Sequence, residues 1–521
     1  MNNQIILCLG DNSSADAWAH KLSQKYALEN KIIFRGAITN SKQDLEPGCF
    51  HTGPHNIDVI DIIKISKNVD KVVLLDQNQD QYSHPVIFVS MFKLLQHLKA
   101  EDIQVVELNT TNMETIRYWD NILNTNKSFC AMPWIYHGGY GGYHTLCFLS
   151  HKPIKKIGSI KDWQQDKEYN VIRSKMLQGE PNVDHCKTCY HRESKKELSV
   201  RLNDSLKWLT ELKVKNLDAL KKINNPVYYE IRPSNKCNIK CRTCEPKYSH
   251  LIEEETKKIT DERLKKIFMQ KEWDKMTDFP EQIGHIKRIY VAGGEPTVQP
   301  KLYKFLRKCI DEGNTDFDFR INTNSVKISE PLFDLFKHFP NLGFSCSIDG
   351  VPKINDYIRW GTDTSTVVKN IHRLHINHQI SFISVISIYN VTTIGELMKF
   401  FDTEFPYATV QLQTAGYKDN LLDCENHPNH DKIIKSLKLA KQTKCYYHNE
   451  RGTKSIVDRL YQYYSDRPKT DLVRLSNFFK YNDTLDNFRN SKLEQYIPDL
   501  EACRSYTAQR ISVLETADSN K

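Results

Sequence analysis

Residues 226–250 read PVYYEIRPSNKCNIKCRTCEPKYSH, and the eight residues CNIKCRTC at 237–244 decide how the chain is read. Cys237, Cys241 and Cys244 stand at C-x3-C-x2-C. Three thiolates on a four-iron cluster leave one iron open to a small molecule, whereas a fully ligated cluster mainly passes electrons. A zinc knuckle prefers C-x2-C or C-x4-C pairs and needs a fourth ligand. The nearest candidates, His250 and Glu245, are poorly spaced for that. The spacing therefore favours an iron–sulfur cluster over zinc or plain core thiols.

The flanks give the triad a setting. PVYYEIRPSN (226–235) reads as a strand ending in polar turn residues, so the cysteines fall in the loop after a strand. HIKRIYVAGGEPTVQP (285–300) reads as a strand running into Gly293, Gly294, Glu295 and Pro296. Paired glycines after a strand let the backbone come close to a ligand, although a plain turn explains them as well. Further strands are expected at DFRINTN (318–324), GFSCSIDG (343–350), ISFISVISIY (380–389) and TVQLQTAG (409–416), with helices between them. Strand and helix alternating about six times predict a parallel sheet, whose ligands lie at the carboxyl ends of the strands. The cysteines, GGEP, NTN and SIDG all fall at those ends.

Residues 226–416 resemble the radical S-adenosylmethionine (SAM) enzymes, and among them the members with a twitch or SPASM-type auxiliary cluster segment. The resemblance rests on the three cysteines, GGEP, NTN and SIDGVPKINDYIRWGTD (347–363). One departure is Thr243, where many members carry an aromatic residue before the third cysteine. The resemblance implies an α/β fold: a partial (β/α)6 barrel with a [4Fe-4S] cluster at its mouth, ligated by Cys237, Cys241 and Cys244. It implies SAM as cofactor, cleaved reductively to a 5′-deoxyadenosyl radical. The backbone of Gly293, Gly294 and Glu295 would hold the methionyl amine. Asn322, Asn324, Ser347 and Asp349 would contact ribose and carboxylate. Arg359 would pair with the SAM carboxylate, a guanidinium fork being suited to it; a surface salt bridge is the plainer alternative. The expected substrate is a peptide, a protein or a carrier-linked compound, and the expected electron donor is a flavodoxin or ferredoxin. The competing reading is a non-catalytic binding module stabilised by iron–sulfur or zinc.

A second cysteine set precedes the core: Cys130 and Cys147 in SFCAMPWIYHGGYGGYHTLCFLS, then Cys186 and Cys189 in HCKTC. Four thiolates with one C-x2-C pair can close a second iron–sulfur cluster or an all-thiolate zinc site, and spacing does not choose between them. The C-x2-P-W passage and its glycine-rich hairpin resemble a twitch/SPASM auxiliary segment placed before the barrel. Related members often have a Cys-Cys pair where this chain has Cys147-Phe148. Pro133 and Trp134 are expected to pack over this site, and His185 and His191 to be solvated rather than ligands.

Four regions follow: 1–120, 121–224 with the second cysteine set and a linker, 225–420 as the core, and 421–521. The first reads as a Rossmann-like α/β domain, with strands at QIILCLG (4–10), KIIFRGAI, KVVLLDQ and IQVVELN and helices between them. Gly10, Ser13 and Ser14 admit a phosphate at a helix N-terminus, but an N-capped strand-to-helix turn explains the same residues and is the favoured reading. Neither G-x-G-x-x-G nor a P-loop lysine is present. The last region has apolar residues at helical spacing, and LDNFRNSKLEQYIPDL (485–500) resembles the tail of twitch-type proteins. The net charge of +9, from 73 basic and 64 acidic residues, is spread along the chain and does not point to nucleic acid. No run approaches the roughly 20 apolar residues of a membrane span, and the first residues lack the pattern of a secretory signal. Clustered thiols that serve as ligands fit a reducing cytoplasm.

Overall fold

A computed structural model describes residues 111–140, 143–150, 152, 154, 166–195, 199–262, 264–265, 277–415, 421–448 and 453–519, with four short strands among the first 110 residues. Those strands pair in parallel, Arg35–Ile38 with Cys49–Thr52 and Lys71–Leu74 with Gln104–Glu107. The expected strand at 4–10, the Gly10–Ser14 turn and the N-terminal helices lie outside the described residues. The chain forms two compact units: residues 1–136, 149–154 and 161–226 in one, and 137–148, 155–160 and 227–521 in the other.

The second unit is built on an eight-stranded sheet among the described residues. Its strands are β1 (Tyr136–Tyr140), β2 (Tyr143–His144), β3 (Tyr228–Ile231), β4 (Arg288–Val291), β5 (Asp318–Thr323), β6 (Leu342–Ser347), β7 (Gln379–Ile386) and β8 (Thr409–Thr414). The spatial order is β8-β7-β6-β5-β4-β3-β1-β2. From β3 to β8 each strand pairs in parallel with the next in sequence. The glycine-rich segment forms the expected hairpin, with Gly139 opposite His144 and Tyr140 opposite Tyr143.

Six parallel strands laid down in one direction with right-handed crossovers put every connecting helix on the same face. The burial pattern agrees. On β4, β5 and β7 alternate residues are buried. Ile289, Val291, Phe319, Ile321, Phe344, Phe382, Val410 and Leu412 join Leu302, Phe305, Leu332, Phe336, Ile371, Leu374, Leu397 and Phe401 from the helices in one apolar core. Three of the connecting helices carry a local start signal. Pro300 and Pro331 sit in the first turns of Pro300–Asp311 and Glu330–Phe336, and Asp363 caps Thr364–His375 by accepting from Ser365 and Thr366 N–H.

The opposite face is polar. The register brings Arg288 beside Asp318, Tyr290 beside Arg320, Asn322 beside Ser345, and Ser345 beside Ser381. Arg288 donates from Nε to Asp318 at 2.7 Å, Arg320 donates from Nε to the same carboxylate at 2.9 Å and from Nη2 to Gln379 at 3.1 Å. Arg320 reaches across because Gly343 has no side chain: a Cβ there would stand 1.9 Å from Nη1. The charges thus satisfy one another near the amino ends of the strands, while hydroxyl and carboxamide groups occupy the rows toward the carboxyl ends.

Candidate functional site

The loop after β3 carries the three cysteines and makes few regular backbone bonds of its own. It is held from outside. On one side, Lys240 N–H donates to Trp360 O at 2.8 Å and Arg242 N–H donates to Ile358 O at 2.7 Å, so YIRWG lies beside the loop like a short strand. On the other side, Glu295 N–H donates to Lys236 O at 2.8 Å, and Gly294 N–H donates to Tyr248 O at 3.1 Å. Cys237 N–H donates to His250 Nδ1 at 3.2 Å. Asn324 donates from its carboxamide to Asn238 Oδ1 at 2.8 Å. Loops after three different strands therefore meet on this one.

Gly294 makes the approach possible. Its φ is +57°, and a Cβ would sit 2.3 Å from Lys236 O. Gly293 has φ +85°, and a Cβ there would lie 3.1 Å from Arg232 Cβ. Glu295 is buried, with both carboxylate oxygens engaged. Oε1 accepts from Thr297 N–H, Thr297 Oγ1 and Thr323 Oγ1, and Oε2 accepts from Asn324 N–H at 2.7 Å. Burial raises its pKa, and these donors oppose the rise. Its side chain stitches the ends of β4 and β5 together.

Asp349 and Arg359, both expected near SAM, form a pair: Arg359 Nη1 donates to Asp349 Oδ2 at 2.9 Å. The other carboxylate oxygen accepts from Val385 N–H at 2.8 Å. Arg359 Nε is buried without a hydrogen-bond partner, and so is Asn322 Oδ1 on the polar face of β5. Ser347 ends β6, half-buried on that same face.

The thiols feel these charges. Burial pushes Cys237 up to about 11, helped by the neighbouring Cys241, while Arg359 pulls it down. Burial also raises Cys241, and Arg359 and Arg489 oppose the rise. Among the described residues no three His, Cys, Asp or Glu side chains converge as a ready-made metal cage; the triad shares a loop. The donor set still suits a [4Fe-4S] group. Three thiols would leave one iron open to a small molecule, a guanidinium stands beside them, and unpartnered polar atoms remain at Arg359 and Asn322.

Sequence reasoning missed the residues beneath the loop. Arg242, between the second and third cysteines, is fully buried. Its Nε donates to Tyr357 O at 2.9 Å, and Nη2 donates to Asp486 Oδ1 at 2.5 Å and to Ser491 Oγ at 2.9 Å. Tyr357 and Tyr389 donate to Asn482 Oδ1, each at 3.0 Å. Arg489 donates to Glu255 at 2.7 Å. The available signal was Asn482 and Asp486 at i, i+4, two polar residues on the buried face of the Leu472–Arg489 helix.

The second cysteine set divides between the two units. Cys130, Cys186 and Cys189 belong to the first. Cys186 and Cys189 occupy one face of the Val183–Ser194 helix and are buried. Ser205 donates to Cys130 Sγ at 3.7 Å, and burial raises Cys130 to about 11, with Cys189 adding to the rise and Arg201 opposing it. Cys147 belongs to the second unit, just past the hairpin, and is also buried. The twelve cysteines whose side chains are described are all free of disulfides. Pro133 and Trp134 are buried. His185 is half-buried beside Ser150 at 3.1 Å, and His191 is exposed.

Two solved structures of Streptococcus suis SuiB are similar to this chain. SuiB bound to S-adenosylmethionine is 16% identical over 47% of this chain and 56% of that one, with a TM-score of 0.29. SuiB bound to precursor peptide SuiA is 13% identical over 64% of this chain and 65% of that one, with a TM-score of 0.27. The chain thus spans 56–65% of the length of those structures. No curated protein matches. Among the described residues no helix is long and apolar enough to cross a membrane. The cysteine loop, the GGEP turn and the Asp349–Arg359 pair all fall within residues 231–403, the segment that matches the Radical SAM superfamily.

Proposed function

We propose that the chain is a radical SAM enzyme with Cys237, Cys241 and Cys244 as cluster ligands, acting on a peptide, protein or carrier-linked substrate. The observation that carries this reading is the backbone junction: the cysteine loop bonded to GGEP on one side and to 358–360 on the other, at the carboxyl end of six parallel strands and inside the matching segment. Cys237, Cys241 and Cys244 would hold a [4Fe-4S] cluster, which would supply the electron for reductive cleavage of SAM and so the means of hydrogen-atom abstraction from the substrate.

The chain's own residues prepare that site. Gly293 and Gly294 let this turn close on the cysteine loop, where the backbone of 293–295 would receive the methionyl amine. Arg359 offers its buried Nε toward a carboxylate while Asp349 fixes the rest of its fork. Asn322, Ser345 and Ser347 supply hydrogen-bonding groups to ribose and substrate. The sheet face that bears them curls as a partial barrel whose amino end the Arg288–Asp318–Arg320 layer closes. A second metal, as an iron–sulfur cluster or a zinc ion, is proposed at Cys130, Cys186 and Cys189, the thiols of that set held by one unit. A reduced flavodoxin or ferredoxin serves as electron donor, and the reducing cytoplasm as location.

The test is anaerobic reconstitution with iron and sulfide, then incubation with SAM and dithionite. 5′-Deoxyadenosine is expected, and Cys241→Ala abolishes it. A wild-type chain that holds its cluster and releases none refutes the catalytic reading and returns the binding module. Metal analysis of the Cys237→Ala/Cys241→Ala/Cys244→Ala chain tests the second metal: iron with sulfide marks a cluster, zinc alone marks the other form, and neither refutes it.

A further inference from the structure

Residues 472–491 lie beyond the segment that matches the Radical SAM superfamily, which ends at 403, yet they make the densest polar contacts beneath the cysteine loop. Arg242 is the only ionised side chain within CNIKCRTC apart from Lys240, and the two differ completely. Lys240 is partly exposed, with its ammonium 3.2 Å from Glu255. Arg242 is sealed, its guanidinium stacked 3.6 Å over the Tyr357 ring and bonded to Tyr357 O, Asn482, Asp486 and Ser491. Tyr481 OH donates back to Arg242 O at 2.8 Å, so both the side chain and the carbonyl of one residue are gripped by one helix.

Asp486 is the centre of the grip. One oxygen accepts from Arg242 and Ser491, and the other from Asn482 and from Leu493 N–H at 3.0 Å. The helix ends at Asn490 in the left-handed conformation, φ +48°, which turns Ser491 back toward the guanidinium. Four residues from the helix's last turns and its cap thus point at one arginine lying between two cluster ligands. A buried guanidinium must have its charge offset and its N–H donors satisfied; here Asn482, Asp486 and Ser491 do so from one helix and its end while Tyr481 holds the carbonyl, and that arrangement fixes the direction of the residue.

We infer that Arg242 is a positioning residue, and that the 472–491 segment completes the cofactor site by holding Cys241 and Cys244 at the spacing the cluster requires. The inference rests on the proposed cluster at the triad. Groups that orient metal ligands from behind typically change metal affinity by about 10–100-fold when removed, and Arg242 acts on two ligands at once through the backbone on either side of it.

The test is loss of iron from the reconstituted full-length chain to a ferrous chelator, without SAM, followed by absorbance. Arg242→Lys keeps the charge and loses the fork. Asp486→Asn keeps the shape and loses the charge. Each is expected to release triad iron about 10-fold faster or more than wild type, with an altered electron paramagnetic resonance signal of the reduced cluster. Asp483→Asn is the control. It removes the Arg504 pair, 2.8 Å on each arm, from the same helix, and is expected to release iron at the wild-type rate. Wild-type rates in both Arg242→Lys and Asp486→Asn overturn the inference alone. So does equal acceleration by Asp483→Asn, since the effect is then general loosening of the helix. If Cys237→Ala/Cys241→Ala/Cys244→Ala holds as much iron as wild type, the proposed function and the inference fail together.

Discussion

Replacing Gly294 by alanine separates two costs that a single mutant normally mixes. Gly294 and Gly313 both have positive φ, +57° and +67°. A Cβ at Gly313 meets nothing within 4 Å, whereas at Gly294 it meets Lys236 O at 2.3 Å and the carbonyl carbons of Asn235 and Lys236 at 2.9 Å. Gly313→Ala therefore bears only the left-handed strain, roughly 1–2 kcal/mol. Gly294→Ala bears that strain and must also drive the cysteine-loop backbone outward to at least 3.0 Å, an overpacking cost of about 1–3 kcal/mol. The totals are about 1–2 against about 2–5 kcal/mol. At roughly 2 °C per kcal/mol for a unit of this size, thermal unfolding should fall by about 2–4 °C for Gly313→Ala and about 4–10 °C for Gly294→Ala. Circular dichroism of the metal-free chain reads the two midpoints. The displaced carbonyl is the one that accepts from Glu295 N–H, so Gly294→Ala should also lower iron uptake at the triad while Gly313→Ala leaves it unchanged. Equal midpoints and equal uptake for the two variants would refute the close-approach argument.

Two further substitutions probe other parts of the unit. Glu295→Gln puts an NH2 group where a carboxylate oxygen accepts from Asn324 N–H or from the two threonines, so one donor faces another; a loss of about 1–3 kcal/mol is expected, checked by urea denaturation at neutral pH. His427 is fully buried, its Nδ1 accepts from Asn429 N–H at 3.1 Å, and burial lowers its pKa to about 3. The folded chain keeps it neutral while the unfolded chain protonates it near pH 6.5. Stability from this group is thus full above that value and falls as pH drops toward about 3. His427→Asn should flatten this part of the acid limb in denaturation curves taken at successive pH values, and an unchanged limb would show that the histidine does not carry it.

The six parallel strands were legible because each is short, β-branched or aromatic, and bounded by turn residues. DFRINTN and TVQLQTAG became Asp318–Thr323 and Thr409–Thr414 with only their ends trimmed. The cysteine spacing was legible because it is local. What sequence does not display is the partner of a loop. GGEP reads as a ligand-facing turn, yet Gly294 is needed first for Lys236 O, and Glu295 spends its carboxylate on Thr297, Thr323 and Asn324. YIRWG reads as a motif, and Ile358 and Trp360 prove to be hydrogen-bond acceptors for the loop 116–120 residues before them. Arg242 reads as a spacer between cysteines. Its partners stand about 240 residues away, and no local pattern links Asn482 and Asp486 to it.

Three buried arginine–carboxylate pairs surround the triad: Arg242–Asp486, Arg359–Asp349 and Arg489–Glu255. Their presence is weak evidence of stability, because removing two charges from water can cost more than their attraction returns, and apolar replacements are often neutral or stabilising by about 1–4 kcal/mol. Each pair instead joins segments far apart in sequence: loop to C-terminal helix, the end of β6 to YIRWG, C-terminal helix to the His250–Lys257 helix. They act as register marks. This view makes a sharp prediction for the double substitution Arg242→Met with Asp486→Leu, which removes both charges and keeps most of the volume. Thermal unfolding of the metal-free chain should fall only by what the partners left at Tyr357 O, Asn482, Ser491 and Leu493 N–H cost, about 1–3 kcal/mol for each one not re-paired, while iron at the triad is lost to chelator about 10-fold faster or more. If the pair served stability alone, the two measurements would move together. If it were inert, neither would move. Only a fork that aims Cys241 and Cys244 lets the fold survive its loss while the cofactor does not.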